Sequence, residues 1–587
     1  MKIIYFQFSI FARISKITFA CLFWQVASFN ATAREDLIYS DRDIFHPVVA
    51  TSGMVATQEA LATKAGLEVL KEGGNAVDAA VTVGFTLAVT LPEAGNLGGG
   101  GFMLVHLAKT NQNIAIDYRE KAPLAATKDM FIDANGRVDP TKSRYSYLAV
   151  GVPGTVAGMV TALEKYGTIS LARALQPGIS LAENGFPINE YMYRTLVEAK
   201  EKMQPYPAST AIFYKPNGIP YQMGEILVQK DLAKSLKLIA KEGKKAFYEG
   251  SIADAIVAEM KANGGLITKE DLARYQPVIR QPVKGNYRGY EIYSMPPPSS
   301  GGVHLIQILN ILEKFPLQSL GHNSARTIHL MAESMKLAYA DRSKFLGDPD
   351  FVAVPVERLI DKRYADILRQ KINLERATPS EKIAPANPYQ VKESNSTTHY
   401  SVIDKYGNAV ANTYTLNFSY GSCITVPGTG ILLNNEMDDF SAKPGVPNAF
   451  GVIGGTFNAI EPEKRMLSSM TPTIVLKDGK PFLVTGSPGG SRIITTTLQL
   501  LTNAIDFQMN IAEATNALRI HHQWLPDRLQ VEKGLNNDTI NLLKSKGYQV
   551  EIVDAMGSTQ SVISIKGVLS GASDPRRPGA LTLGIDK

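Results

Sequence analysis

The sequence predicts an α+β protein in which antiparallel sheets are covered by helices. Three observations carry this. Residues from about 155 to 390 show mostly helical patterning broken by Pro and Gly turns. After Thr397 the hydrophobic period changes to two. There, Lys405-Tyr406-Gly407-Asn408 and Lys477-Asp478-Gly479-Lys480 each separate two alternating segments, as hairpin turns do. Strands and helices therefore fall in blocks rather than alternating, which favours packed antiparallel layers over a parallel βαβ sheet.

The first 33 residues stand apart. Lys2, Arg13 and Lys16 are its charges, 17–29 is mainly apolar, and Ala31-Thr32-Ala33 places small residues where a signal peptidase reads. Cleavage after Ala33 and export, to the periplasm or beyond, are the expectation. An uncleaved anchor is the alternative, although the apolar run is short for a span of roughly 20 residues. Residues 53–90 read as two helices separated by Gly73-Gly74, with Asn75 capping the second. That second helix is apolar nearly all round, as a buried core helix would be. Residues 102–107 and 113–118 read as strands, placing Arg119 at a strand end. The polar, proline-containing stretch 375–396 reads as an exposed segment. Beyond it come the hairpins 399–403/409–416 and 473–476/481–484, then helical patterns at 491–506 and 511–517.

Composition excludes several classes of function. The hydrophobic fraction of 44% and charged fraction of 20% are those of a globular protein with ample core. The net charge of +6 falls to about +3 once Lys2, Arg13 and Lys16 are removed, and no basic stripe interleaved with aromatics suggests nucleic acid. Of two cysteines, Cys21 lies in the leader, so Cys423 has no disulfide partner and packing must hold the chain together. No HExxH or paired His/Cys spacing points to zinc, and adjacent His521 and His522 read as structural. Neither metal nor cofactor is implied.

Chemistry concentrates at Ser396-Thr397-Thr398-His399-Tyr400, where the polar stretch meets the first strand of the second block. A threonine hydroxyl is a weak nucleophile unless a base lies beside it, and scission before Thr397 would supply one in the freed α-amine. The hydroxyl would attack the Ser396 carbonyl, form an ester by N-to-O acyl shift and lose it to water. On its own, a Ser-Thr-Thr run would far more often simply begin a strand, since β-branched residues favour that conformation.

The surrounding motifs decide between these readings. Thr397-Thr398-His399-Tyr400-Ser401-Val402-Ile403-Asp404, Thr413-Tyr414-Thr415-Leu416-Asn417, Asn434-Asn435-Glu436-Met437-Asp438-Asp439-Phe440, Leu467-Ser468-Ser469-Met470 and Thr485-Gly486-Ser487-Pro488-Gly489-Gly490-Ser491-Arg492 follow in order. Ahead of them stand Ala94-Gly95-Asn96-Leu97-Gly98-Gly99-Gly100-Gly101-Phe102 and Asp117-Tyr118-Arg119-Glu120. Together they resemble the γ-glutamyltranspeptidase family over essentially all of the chain from about residue 45. The resemblance implies the four-layer αββα sandwich of N-terminal nucleophile hydrolases. It also implies a precursor cut between Ser396 and Thr397 into a large subunit, 34–396, and a small catalytic subunit, 397–587, that pair as a heterodimer.

A γ-glutamyl donor presents an α-carboxylate and an α-ammonium. Arg119 offers a two-pronged donor for the first, joined by the Ser468 and Ser469 hydroxyls, while Asp439, Glu436 and Asn417 offer acceptors for the second. The resemblance assigns these same roles, with Thr415 bonded to the nucleophile Thr397. Gly489 and Gly490 precede a helix, where backbone N–H groups could hold an oxyanion. In bacterial relatives with a lid over the donor site, a tyrosine occupies the position of Phe450. Its bond to the asparagine matching Asn417, worth about 1 kcal/mol net, cannot form here, so a looser lid is expected. The implied partners are glutathione-like donors and amino acid, peptide or water acceptors, without nucleic acid or stable membrane insertion. A glutaryl-type amidase of the same fold and an uncleaved binding protein for γ-glutamyl peptides stand as alternatives. Asp439 disfavours the first, because an unpaired buried carboxylate is costly.

Overall fold

The computed structural model describes residues 43–383, 396–446, 448 and 451–586. Its centre is a pair of seven-stranded antiparallel sheets. In chain order the strands are β1 (Val48–Ala50), β2 (Gly53–Thr57), β3 (Gly100–Leu107), β4 (Gln112–Tyr118), β5 (Val278–Arg280), β6 (Val283–Tyr287) and β7 (Tyr290–Ser294). They continue with β8 (Thr398–Asp404), β9 (Ala409–Thr415), β10 (Thr473–Lys477), β11 (Lys480–Thr485), β12 (Gln560–Ile565), β13 (Val568–Ser573) and β14 (Leu581–Ile585). One sheet runs β14-β2-β8-β9-β3-β4-β5 and the other β1-β13-β12-β11-β10-β7-β6.

Both expected hairpins form: β8 pairs with β9 and β10 with β11. Their alternation has a different cause from a strand with one wet face, for every residue of β8 and β9 is buried. Ile403, Ala409 and Ala411 meet Ile474, Leu476, Val484 and Val562 between the two sheets. Tyr400, Val402, Val410 and Tyr414 face the opposite way, into a core shared with helices. The chain thus builds four layers, helix, sheet, sheet, helix, the αββα sandwich.

The outer layer on the first sheet includes α1 (Ala60–Lys71), α2 (Ala76–Thr90), α3 (Thr155–Tyr166) and α4 (Leu171–Asn184). Helix α2 is buried over its whole length. It starts where the sequence places it, because Asn75 and Asp78 form a reciprocal capping box, and Gly73 at φ +96° allows the turn before it. The layer on the second sheet includes α5 (Gly301–Leu312), α6 (Ala325–Phe345) and α7 (Arg492–Ile505).

Two readings require correction. Residues 53–57 are strand β2 rather than helix, paired with β8 on one side and β14 on the other; a short, fully buried apolar run has no period that separates the two. The middle of the chain is mostly helical as expected, but it also holds three strands that the sequence reading did not place, β5, β6 and β7, which extend both sheets. The exposed stretch ahead of Thr397 falls mainly on 384–395, and Phe450 on the lid; both lie outside the described residues, as does the leader. Within the stretch's described residues, Glu375, Arg376, Pro379, Glu381 and Lys382 are exposed, while Ser380 and Ser396 are buried. Among the described residues, no helix is long and apolar enough to cross a membrane.

Candidate active site

Strand pairing places the nucleophile. Thr398 lies opposite Tyr414 in the β8–β9 ladder, so Thr397, one residue earlier, meets Thr415 at the end of β9. Thr397 Oγ1 is 3.2 Å from Thr415 Oγ1 and 2.8 Å from the Ser396 carbonyl oxygen. The Thr415 hydroxyl donates to that same oxygen at 2.9 Å and accepts the Asn417 amide at 2.9 Å. Asn417 turns the chain away at φ +78°, and its side-chain nitrogen donates to the Asn435 carbonyl at 3.1 Å. On the other side, Arg577 Nη1 donates to the Thr397 carbonyl at 3.0 Å while pairing with Glu93 at 3.2 Å.

Thr397 lines a partly open pocket at the end of β9. Thr415 and Asn417 line it beside the nucleophile, and Ser468, Ser469 and Gly490 form walls. Arg119, Glu436 and Asp439 stand at its charged end. Arg119 Nη1 is 2.6 Å from Glu436 and Nη2 is 2.5 Å from Asp439, with Glu120 at 3.7 Å. Asp439 is therefore paired, and one arginine faces three carboxyls. Burial pushes Glu436 and Asp439 above the usual carboxylate range and Glu120 up to about 8, while the surrounding carboxylates drive the Arg119 guanidinium upward. Such a site has acceptor capacity in excess, with Asp439 Oδ1 and Glu436 Oε1 unpaired among the described residues. A bound ammonium would use it.

The serines are fixed by their backbone. Ser468 accepts the Met470 amide on Oγ at 3.0 Å, and its carbonyl receives the Ser300 amide at 2.9 Å and hydroxyl at 2.8 Å. Ser469 Oγ accepts from Arg342 Nη2 at 3.1 Å. Gly489 and Gly490 adopt φ +132° and +56° just before α7, a conformation that a side chain would strain. Gly490 lines the pocket, whereas Gly489 supports the turn behind it. Strand β11 ends at Thr485, four residues ahead of Gly489, so these glycines belong to the loop leading into the helix.

No histidine or cysteine lines the pocket among the described residues. His399 lies between Thr413 Oγ1 at 2.8 Å and Ser401 Oγ at 3.0 Å, and burial pushes it down to about 3, so it stays neutral and bonded away from Thr397. His521 bonds Thr495 at 2.8 Å and His522 lies 3.2 Å from Asp527, both structural pairings. Cys423 is buried, its thiol pushed up to about 12. Sequence reasoning missed Arg342 and Arg577. Arg342 sits on the buried face of α6, far along the chain from every motif, and Arg577 returns to Thr397 only through the folding of the C-terminal strands.

An αββα sandwich that presents a threonine at the head of a central strand, beside a charged pocket, defines the class of N-terminal nucleophile hydrolases. The sequence profile described as Gamma-glutamyltranspeptidase matches residues 62–583. A glutathione hydrolase proenzyme of Escherichia coli is 57% identical over 93% of this chain and 94% of its own length. Among solved structures, a cephalosporin acylase from Bacillus halodurans aligns with TM-score 0.82 at 28% identity, over 95% of this chain and 99% of that one. The γ-glutamyltranspeptidase of Helicobacter pylori aligns with TM-score 0.56 at 52% identity, over 58% of this chain and 97% of that one. The chain belongs to the γ-glutamyltranspeptidase family.

Proposed function

We propose that the chain is a self-processing γ-glutamyl transferase and glutathione hydrolase whose nucleophile is Thr397. In the precursor, Thr397 Oγ1 attacks the carbonyl carbon of Ser396, and the Thr415 hydroxyl, already donating to that carbonyl oxygen, stabilises the charge that develops there. The C–N bond breaks, the amine leaves with a proton, and water hydrolyses the resulting ester. This yields fragments 34–396 and 397–587, with hydroxyl and free amine on one residue.

In the mature enzyme, the donor carboxylate binds Arg119 and the Ser468 and Ser469 hydroxyls, and its ammonium binds Glu436, Asp439 and Asn417. Thr397 Oγ1 then attacks the γ-carbonyl, losing its proton to the α-amine. The oxyanion is held at the Gly489-Gly490 amides, and the amine returns the proton to the leaving group. An amino acid, a peptide or water releases the γ-glutamyl group from Thr397. Attack by an amine needs that amine deprotonated, so transfer gains on hydrolysis as pH rises. A product ratio that is flat from neutral to alkaline conditions would contradict this.

The observation that carries the reading is Thr397 aligned on one pocket with the Arg119–Glu436–Asp439 ion cluster. Purified Thr397→Ala is expected to run as a single chain on a denaturing gel and to release nothing from a γ-glutamyl anilide. The likeness to a cephalosporin acylase supports an acylase as a second reading, and the glutaryl-type amidase, whose acyl group lacks the ammonium, is its testable form. The ion cluster favours the zwitterion, and turnover of γ-glutamyl anilide but not glutaryl anilide is the expected result. The basic, apolar, small-residue order of 1–33 supports export, which fractionation of expressing cells would test.

A further inference from the structure

Behind the donor pocket lies a second set of ionised side chains that contributes no atom to it. Asp117, the penultimate residue of β4, is fully buried and its two oxygens serve three partners. Oδ1 accepts the Arg119 amide at 3.0 Å and lies 3.5 Å from Arg465 Nε; Oδ2 accepts from Arg280 Nε at 2.8 Å. Arg465 leads directly into Met466, whose carbonyl accepts from Arg119 Nε at 3.2 Å, and Ser468 follows two residues later. The contacts close a ring from Asp117 through the Arg119 backbone and side chain to Met466, then through Arg465 back to Asp117. Outside the ring, Asp348 accepts the Arg465 amide at 2.7 Å, and Asp350 takes both Arg280 terminal nitrogens at 3.0 and 2.7 Å. Tyr275 donates to the Arg119 carbonyl at 2.8 Å, so the Arg119 backbone is fixed at both ends.

We infer that Asp117, acting through Arg465 and Arg280, is a positioning residue that registers Arg119 against the Ser468-Ser469 segment, making one clamp for the donor α-carboxylate. The proposal rests on the donor-site reading above. Arg119 precedes the cut and Arg465 follows it, so the ring joins two fragments that no covalent bond will connect. A buried ion pair adds little net stability over apolar packing of the same volume, but removing one partner leaves the other charge unpaired and free to pull its neighbours out of place. The ring touches neither Thr397 nor Gly490. Its loss weakens donor binding more than it slows chemistry.

The test compares Arg465→Met, Arg465→Lys and Arg119→Gln in the purified, cleaved enzyme. For γ-glutamyl anilide, Arg465→Met raises KM about tenfold with kcat within about threefold, a loss of binding shared by ground and transition states. Arg465→Lys falls between it and the unaltered enzyme. A 4-aminobutyryl anilide, which lacks the α-carboxylate, shows the same KM with Arg465→Met as with the unaltered enzyme. A purely structural role would lower the melting temperature and depress kcat for both donors together. If Arg119→Gln leaves the γ-glutamyl KM unchanged, the donor-site reading falls and this proposal with it. If Arg119→Gln raises KM while Arg465→Met does not, the positioning role alone is overturned. Should Arg465→Met fail to fold, Arg280→Met at the sheet edge carries the test, with a KM rise of about threefold expected and an unchanged KM contradicting the proposal.

Discussion

Thr397, the proposed nucleophile, has no titratable base beside it among the described residues. His399, two residues on, is doubly hydrogen bonded and held neutral by burial, so it does not substitute for the α-amine that scission would free. The same burial that silences His399 gives Glu120 a testable signature. Its carboxyl is raised from an ordinary 4.5 to about 8, so the folded protein retains a proton that the unfolded chain has already released. Stability therefore falls as pH rises from the ordinary carboxylate range through about 8. Melting temperatures across that window should decline, and Glu120→Gln should flatten the decline; an identical slope in the variant would contradict the assignment. Cys423, buried with its thiol pushed up to about 12, should resist iodoacetamide at neutral pH in the native protein and react only on unfolding.

At the scale of elements, the turn into α7 makes the sharpest demand on sequence. Gly489 and Gly490 both hold positive φ, and Gly490 lines the pocket. A Gly490→Ala variant keeps the backbone N–H but strains the φ +56° turn that aims it, so kcat should fall with a much smaller change in KM, and an unchanged kcat would contradict the demand placed on this turn. Motif reasoning reached this loop, and it reached the hairpins, because turn residues and β-branched alternation are local signals. It failed at β2 and at β5 to β7. Gly53–Thr57 is a strand because β8 and β14 flank it, and Val278–Arg280 because β4 lies beside it. Those partners are hundreds of residues away in one case and more than a hundred in the other, beyond the reach of any local pattern, whereas β6 and β7 pair with each other across the Arg288-Gly289 turn, a local hairpin signal that the sequence reading missed.

Across the whole molecule, the cut would divide a chain whose sheets are already interleaved. Strands β8 and β9, downstream of Ser396, lie between β2 and β3 from upstream, and β7 pairs with β10. Three hydrophobic clusters hold residues from both fragments, so the fragments should co-elute as one species under native conditions and separate only in denaturant. Fragments that part without unfolding would contradict the interleaved fold. The site follows the same logic. Its motifs stand in the right order along the chain, and all the candidate residues except Gly489 and Ser396 line one pocket, yet Arg342 and Arg577 carried no local mark because only folding brings them in. The central claim is that hydroxyl and amine come to share one residue by scission after Ser396. The N-terminal sequence of the smaller fragment tests it most directly: Thr-Thr-His-Tyr, beginning at Thr397, is the predicted reading, and any other first residue would contradict the account.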